Sequence, residues 1–204
     1  MRVSDSGGSN FPQIPLGSHV ARCIRVIDLG TQTNDYQGKV THPRQVVIGW
    51  ELPNELIEDG EHKGKPMYAS KFYTASLNEK ATLRGHLANW RGRDFTPDEL
   101  QGFDLRNILG KTCMLSIVQS ESGKSKVGGV MALPKGMQVP PQVNPNVHFS
   151  LDEFDQATFD ALTKGMKEKI IASPEYQRIV GAGKAPDKMP NGGAFNDMED
   201  DIPF

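Results

Sequence analysis

The stretch from Gly17 to Leu29, GSHVARCIRVIDL, limits the possible folds more than any other part of this chain. Val20, Ile24, Val26 and Ile27 are β-branched, and the apolar residues do not recur at helical spacing. The segment therefore reads as a long strand, with room for a bulge. Two more strands are expected after it. RQVVIGWEL (44–52) follows a polar, turn-rich loop, TQTNDYQGK (31–39). MYASKFYTASL (67–77) follows a charged hairpin loop, ELIEDGEHKGKP (55–66). The pattern then changes. Ala81, Leu83, Leu87 and Trp90 recur at helical spacing behind Asn78, a residue suited to capping a helix. RGRDF (91–95) ends that helix, and Thr96 with Pro97 opens a short second helical turn. NILGK leads into the strand TCMLSIVQS (112–120), and a Ser122-Gly123 turn joins it to KSKVGGVMALP (124–134) as a hairpin.

Three strands, a helix and two strands is the order of a mainly β, five-stranded OB-fold barrel with its helix between strands 3 and 4. Gly128-Gly129 inside the last strand suits the bulge or tight bend that barrel closure needs. An SH3-like barrel and an unrelated α+β fold are the alternatives. Beyond Pro134 the chain is Pro-rich (LPKGMQVPPQVNPN) and reads as an extended connector. Ser150 and Glu153 form a capping box for a helix whose apolar stripe is Phe154, Phe159, Leu162 and Met166. Ser173-Pro174-Glu175 opens a second helix that stops at Gly181. Residues 182–204 are poor in hydrophobics and rich in Gly, Pro and charge, which predicts disorder. The expected organisation is a flexible N-terminus (1–14), a barrel (15–140), a connector with C-terminal helices (141–181) and an acidic tail (182–204).

Several function classes lose support at once. No apolar run approaches the roughly 20 residues of a membrane span, and the polar first ten residues lack the apolar stretch of a signal peptide, so a soluble cytoplasmic protein is expected. Cys23 and Cys113 sit in apolar, strand-like runs and read as buried thiols in a reducing compartment. The five His are scattered without metal-ligand spacing, so neither metal nor cofactor is expected. GKT (110–112) and GKS (123–125) mimic the end of a phosphate-binding loop. They lack the earlier glycine, where Leu105 and Val118 stand, and no helix follows them. No catalytic motif survives, so an enzyme is not expected.

The net charge of −2 hides an asymmetry. Residues 1–149 carry 17 Lys and Arg against 14 Asp and Glu, whereas residues 150–204 carry 6 against 11. A basic body with interleaved aromatics suits single-stranded DNA, which is held by ring faces that stack bases and by cations that follow the phosphates. Trp50, Tyr73, Lys71, Arg25 and Arg44 are candidates on the strands, and Lys111, Lys124 and Lys126 on the last hairpin. Alternation places Lys71 and Tyr73 on one face and Tyr68 and Phe72 on the other. Tyr73 is the better platform because it shares its face with Lys71, whereas Trp50 competes with a role in the core. In a regular strand Arg22 and Arg25 point opposite ways, so at most one of them faces DNA. Arg84, Arg91 and Arg93 cluster near the end of the first helix, where Arg91 also complements the helix dipole.

The chain ends in DMEDDIPF: four carboxylates precede an exposed Ile and a terminal Phe. Asp200, Asp201, Ile202, Pro203 and Phe204 suit a receptor with a ring pocket and basic groups for the carboxylates. This ending resembles the acidic tip of bacterial single-stranded DNA-binding proteins, which recruits replication and repair enzymes. SKFYTASLNEKATLRGHLANWRGRDFT (70–96), LGKTCMLSIV (109–118) and LPKGM (133–137) are similar instead to the OB-fold single-stranded DNA-binding proteins of tailed bacteriophages. The resemblance implies DNA coating in replication or recombination, with a tail that recruits partner proteins. It also implies a location in the cytoplasm of an infected host. The rival readings are a recombination mediator or annealing protein, and an OB-fold adaptor that touches no DNA. Whether the chain forms a homo-oligomer is left open by the sequence, as is the role of the helices in 150–181.

Overall fold

The first strand is buried on both faces and carries two register shifts. The computed structural model describes residues 13–182. Strand β1 (Gly17–Thr31) buries residues in pairs, Val20-Ala21, Cys23-Ile24, Val26-Ile27 and Leu29-Gly30, where a strand with one solvent face would alternate. Its register against β4 (Arg44–Leu56) slips between Cys23 and Arg25 and again between Asp28 and Gly30. Each extra residue turns the following side chains to the opposite face. β1 is buried on both faces, and the first extra residue leaves Cys23 and Val26 on the same side of the sheet.

The main sheet runs β5-β4-β1-β6-β7, with β5 (Pro66–Thr74), β6 (Thr112–Gln119) and β7 (Ser125–Met131). These five strands pair antiparallel. A sixth, β8 (Val147–Phe149), lies parallel to β1 at Arg25–Ile27, beyond the stretch Gly17–Arg22 that β6 occupies. The polar loop after β1 contains a small hairpin that the sequence reading missed, β2 (Asn34–Tyr36) and β3 (Lys39–Thr41). Its turn residues Gln37 and Gly38 both have positive φ, 52° and 78°, as a two-residue hairpin turn matched to strand twist requires.

One core lies between the sheet and α1 (Thr82–Arg91), which contributes Leu83, Leu87 and Trp90. Trp90 packs against Trp50, and its indole N–H donates to the Thr112 carbonyl at 2.8 Å. Asn78 does not cap α1; its side chain accepts from Lys80 N instead, and the helix starts four residues later. Gly92, at φ 69°, ends α1 in the left-handed conformation. The expected capping box of Thr96 and Glu99 opens α2 (Pro97–Gln101), and a 3-10 turn (Leu105–Ile108) leads into β6.

A second core covers the opposite face. Ile27, Leu29 and Val47 meet Phe149 and the apolar stripe of α3 (Gln156–Asp160), α4 (Lys164–Ile171) and α5 (Pro174–Ala182). The helix expected from Ser150 is absent there. Ser150 accepts from Asp152 N in a turn, the Glu153 carboxylate pairs with Arg106, and Asp155 caps α3 through Thr158 N. The stripe Phe159, Leu162 and Met166 is buried as expected, but across two helices. At the far end Gly30 (φ 72°) lets the chain before α5 approach. A Cβ on Gly30 would lie 2.6 Å from Ser173. Glu175 then accepts from both the amide and the hydroxyl of Thr31.

The sheet is open where a closed barrel was expected. Among the described residues β5 and β7 form no ladder, although they lie close together. Ile14 sits in the gap, its carbonyl accepting from Ser125 Oγ at 2.6 Å, while Lys71 donates across the gap to the Val127 carbonyl at 3.0 Å. Gly128 is the extra residue of a bulge, as its position suggested, and the Val118 methyls occupy the space of its missing side chain. No helix among the described residues is long and apolar enough to cross a membrane.

Cys23 and Cys113 are buried in the first core, and burial pushes the Cys23 thiol up to about 12 and that of Cys113 well above its usual value. Both thiols should therefore resist an aromatic disulfide reagent in the native protein at pH 8. Both should react within the mixing time once the chain is unfolded in guanidinium, as read by absorbance.

Candidate nucleic-acid interface

Strand β5 presents two faces with opposite fates. Ala69, Lys71 and Tyr73 point into the α1 core, and Tyr68, Ser70 and Phe72 point away from it. The alternation expected from sequence holds, but the face chosen for DNA is the covered one. Trp50 is fully buried and Tyr73 is 3% exposed, so neither ring offers a face to a base. The Tyr73 hydroxyl is hydrogen-bonded to His86 Nδ1 at 2.8 Å, and Lys71 is engaged at the Val127 carbonyl.

Several expected phosphate ligands are tied to carboxylates. Arg44 donates to Asp28 and Asp152. Arg84 pairs with Asp94 at 2.9 Å, and Arg91 and Arg93 share Glu99. Arg91 is also stacked on Phe95 and Phe103, 4.5 and 5.1 Å from their centroids. These contacts brace the turn after α1. Of the three, Arg93 keeps the most exposure, and Lys111, Lys124 and Lys126 are exposed on and beside the β6–β7 hairpin.

Register identifies what the outer face of β1, β4 and β5 carries. Arg22, Glu51 and Tyr68 form one row, Arg25, Gly49 and Ser70 the next, and Ile27, Val47 and Phe72 the third. Arg22 and Arg25 stand two positions apart against β4 because the bulge inserts Ile24 between them. Both therefore face outward, contrary to the expectation for a regular strand. The first row is crossed by the connector. The fully buried Glu51 carboxylate accepts from Val143 N and Asn144 N at 3.2 and 2.9 Å and lies 3.7 Å from Arg22. The third row is packed by the C-terminal helices.

The middle row lies between them. Here the Arg25 guanidinium sits 5.3 Å from the centre of the Tyr68 ring. The phenol fills the space above Gly49, where a Cβ would come within 1.9 Å of its oxygen. Burial pushes the Tyr68 hydroxyl up to about 12 against the opposing pull of Arg25. Across the gap between β5 and β7, Lys126 and Ser125 face Tyr68 and Ser70 around a small cleft. The structure thus brings Arg25 and Lys126 to one side of the sheet with Tyr68, a ring that the sequence places correctly opposite Lys71 and Tyr73 but that was not among the residues expected to bind DNA. A larger cleft of about 220 Å³ beside Arg44, Phe103 and His148 is lined by Asp28, Asp104 and Asp152, a poor setting for phosphate.

Among the described residues no group of three or more His, Cys, Asp or Glu could hold a metal ion. The tail residues Asp200, Asp201, Ile202, Pro203 and Phe204 lie outside the described residues. Comparison of the chain with known protein families and with curated proteins returns no match.

Burial lowers the pKa of His86, with Lys71 adding to the effect, and burial followed by Arg106 lowers that of His148. A folded state that favours the neutral ring is fully stabilised above the ordinary His range. That stabilisation is lost as pH falls through the depressed folded values. Glu99, held near 2 by Arg93 and the Thr96 amide, keeps its arginine pairs through this range. Thermal melts should therefore show a falling Tm from about pH 7.5 to 5, and His86→Gln should flatten that slope.

Proposed function

We propose that this protein binds single-stranded DNA without sequence preference, through the outer face of an OB-type sheet, and recruits replication or repair proteins through its C-terminal residues. The observation that carries the reading is the juxtaposition of Arg25, Tyr68 and Lys126 on one side of the strands. Strand connectivity supports it. Numbered without the small hairpin, the sheet order is 3-2-1-4-5 with a helix between the third and fourth strands, as in an OB-fold. OB-folds bind oligonucleotides on the face of strands 2 and 3, flanked by the loops after strands 1 and 4. Those elements here are β4 and β5, the β2–β3 hairpin and the turn before Lys124.

The physical division of labour follows P-backbone chemistry. Lys124, Lys126, Lys111 and Arg25 neutralise phosphates, and an aromatic face stacks a base for roughly 1–3 kcal/mol. Trp50, Tyr73 and Lys71 shape the sheet from inside, and Arg84 and Arg91 stiffen the turn after α1. The tail reading rests on the residues DDIPF alone.

Fluorescence titration of dT oligomers tests the reading. The full chain should bind with a strong inverse dependence on salt, and Arg25→Gln and Lys126→Gln should each reduce the log–log slope by about 0.7. Removing Phe204 should leave DNA affinity intact while abolishing capture of partner proteins. Absence of dT binding at about 50 mM salt would reject the DNA reading in favour of a protein adaptor.

A further inference from the structure

The C-terminal helices packed on the sheet bring a second cation to a second ring of β5. Lys169 of α4 holds its ammonium 5.6 Å from the centre of the Phe72 ring. Phe72 stands four residues beyond Tyr68 on the same face of β5, about 13 Å along the strand. The two positions have the same construction: a half-buried ring on β5, covered by a cation supplied from a different element. Ser70 lies between them.

The position of Lys169 is fixed from below. Its carbonyl accepts from the Gln32 side chain at 2.9 Å, and the same amide also donates to Leu29 O at the end of β1. The helix backbone is thus anchored to the sheet, whereas the side chain reaches over the ring. Most guanidinium groups of the fold are tied to carboxylates, Arg44, Arg84, Arg91, Arg93, Arg106 and Arg178 among them. Among the described residues no carboxylate pairs with the Lys169 ammonium. Its nearest helical neighbour pair, Lys164 with Glu168, leaves it out.

We infer that Phe72 and Lys169 form a second nucleotide subsite of the same DNA-binding face, so that α4 is part of the DNA site; this rests on the proposed binding of single-stranded DNA. In the free protein the ammonium occupies the ring face. An incoming base takes that face, and Lys169 turns outward to the adjoining phosphate. The exchange gives up a half-buried cation–ring contact, worth a factor of about 2–5 at an exposed site and about 30 when desolvated, and gains a stacked base, which contributes roughly 5–150. The displaced ammonium keeps a partner, since it gains a phosphate oxygen.

The test uses the full chain, dT oligomers and three variants, Lys169→Gln, Phe72→Leu and Lys164→Gln. Lys169→Gln should weaken binding and lower the salt slope by about 0.7 with an unchanged Tm, and Lys164→Gln, whose cation is already paired, should change neither. Phe72→Leu keeps an apolar group against the second core and should weaken binding roughly 5-fold or more without altering the slope. Should Phe72→Leu misfold, photocrosslinking of wild-type protein to bromodeoxyuridine oligomers replaces it. Recovery of the Phe72 peptide supports the subsite, and its absence opposes it. A wild type that binds dT while Lys169→Gln keeps the wild-type slope overturns the subsite alone. A wild type that does not bind dT overturns the DNA reading and the subsite with it.

Discussion

Everything in this fold depends on β1 being buried on both sides. A strand buried on both sides feeds two cores, as β4 does with Val46, Ile48 and Trp50 on one face and Val47 on the other. β1 likewise supplies Cys23 and Val26 to the α1 core and Ile27 and Leu29 to the helical one, and the extra residue at Ile24 is what keeps Cys23 and Val26, three positions apart, on the same face. Each fully buried aliphatic side chain of this kind stabilises by about 1.5–3 kcal/mol. The same insertion aligns Arg22 with Arg25. One extra residue in β1 thus sets both a core contact and the pairing of two surface arginines.

The polar contacts around the sheet divide by neighbourhood. Where a segment must be held, carboxylates do it: Glu51 grips the connector backbone, Glu175 grips Thr31, and Asp28 joins Arg44 to the amide of Leu151. Where β5 presents its rings, the partners are cations over π faces instead. A carboxylate clamp resists exchange because a buried acceptor left without donors is costly. A cation on a ring gives up little when another anion is offered. That contrast separates structural contacts from exchangeable ones more clearly than exposure does.

Much of the architecture was legible in the chain. The β-branched run, the helical spacing of Leu83, Leu87 and Trp90, the Thr96 cap and the Gly128 bulge all appear where the residue types put them. What failed was long-range. Alternation grouped Lys71 with Tyr73 correctly, but which face is covered depends on α1 and on helices some hundred residues away, and no local pattern carries that. Ser150 and Glu153 have the right spacing for a capping box, yet Arg106 draws Glu153 elsewhere. Arg44 and Arg91 read as free cations because their carboxylate partners are distant in sequence or lie across a turn.

The gap between β5 and β7 has a further consequence for solubility. An open sheet has two edge strands, and exposed edges are templates for pairing with other chains. Here the two edges lie close to each other, with Ile14 lining the space between them and the Lys71 ammonium donating to an edge carbonyl of β7. Each edge is shielded by the other. The sheet thereby guards against edge-to-edge pairing much as a closed cylinder does, with side-chain contacts in place of a backbone ladder.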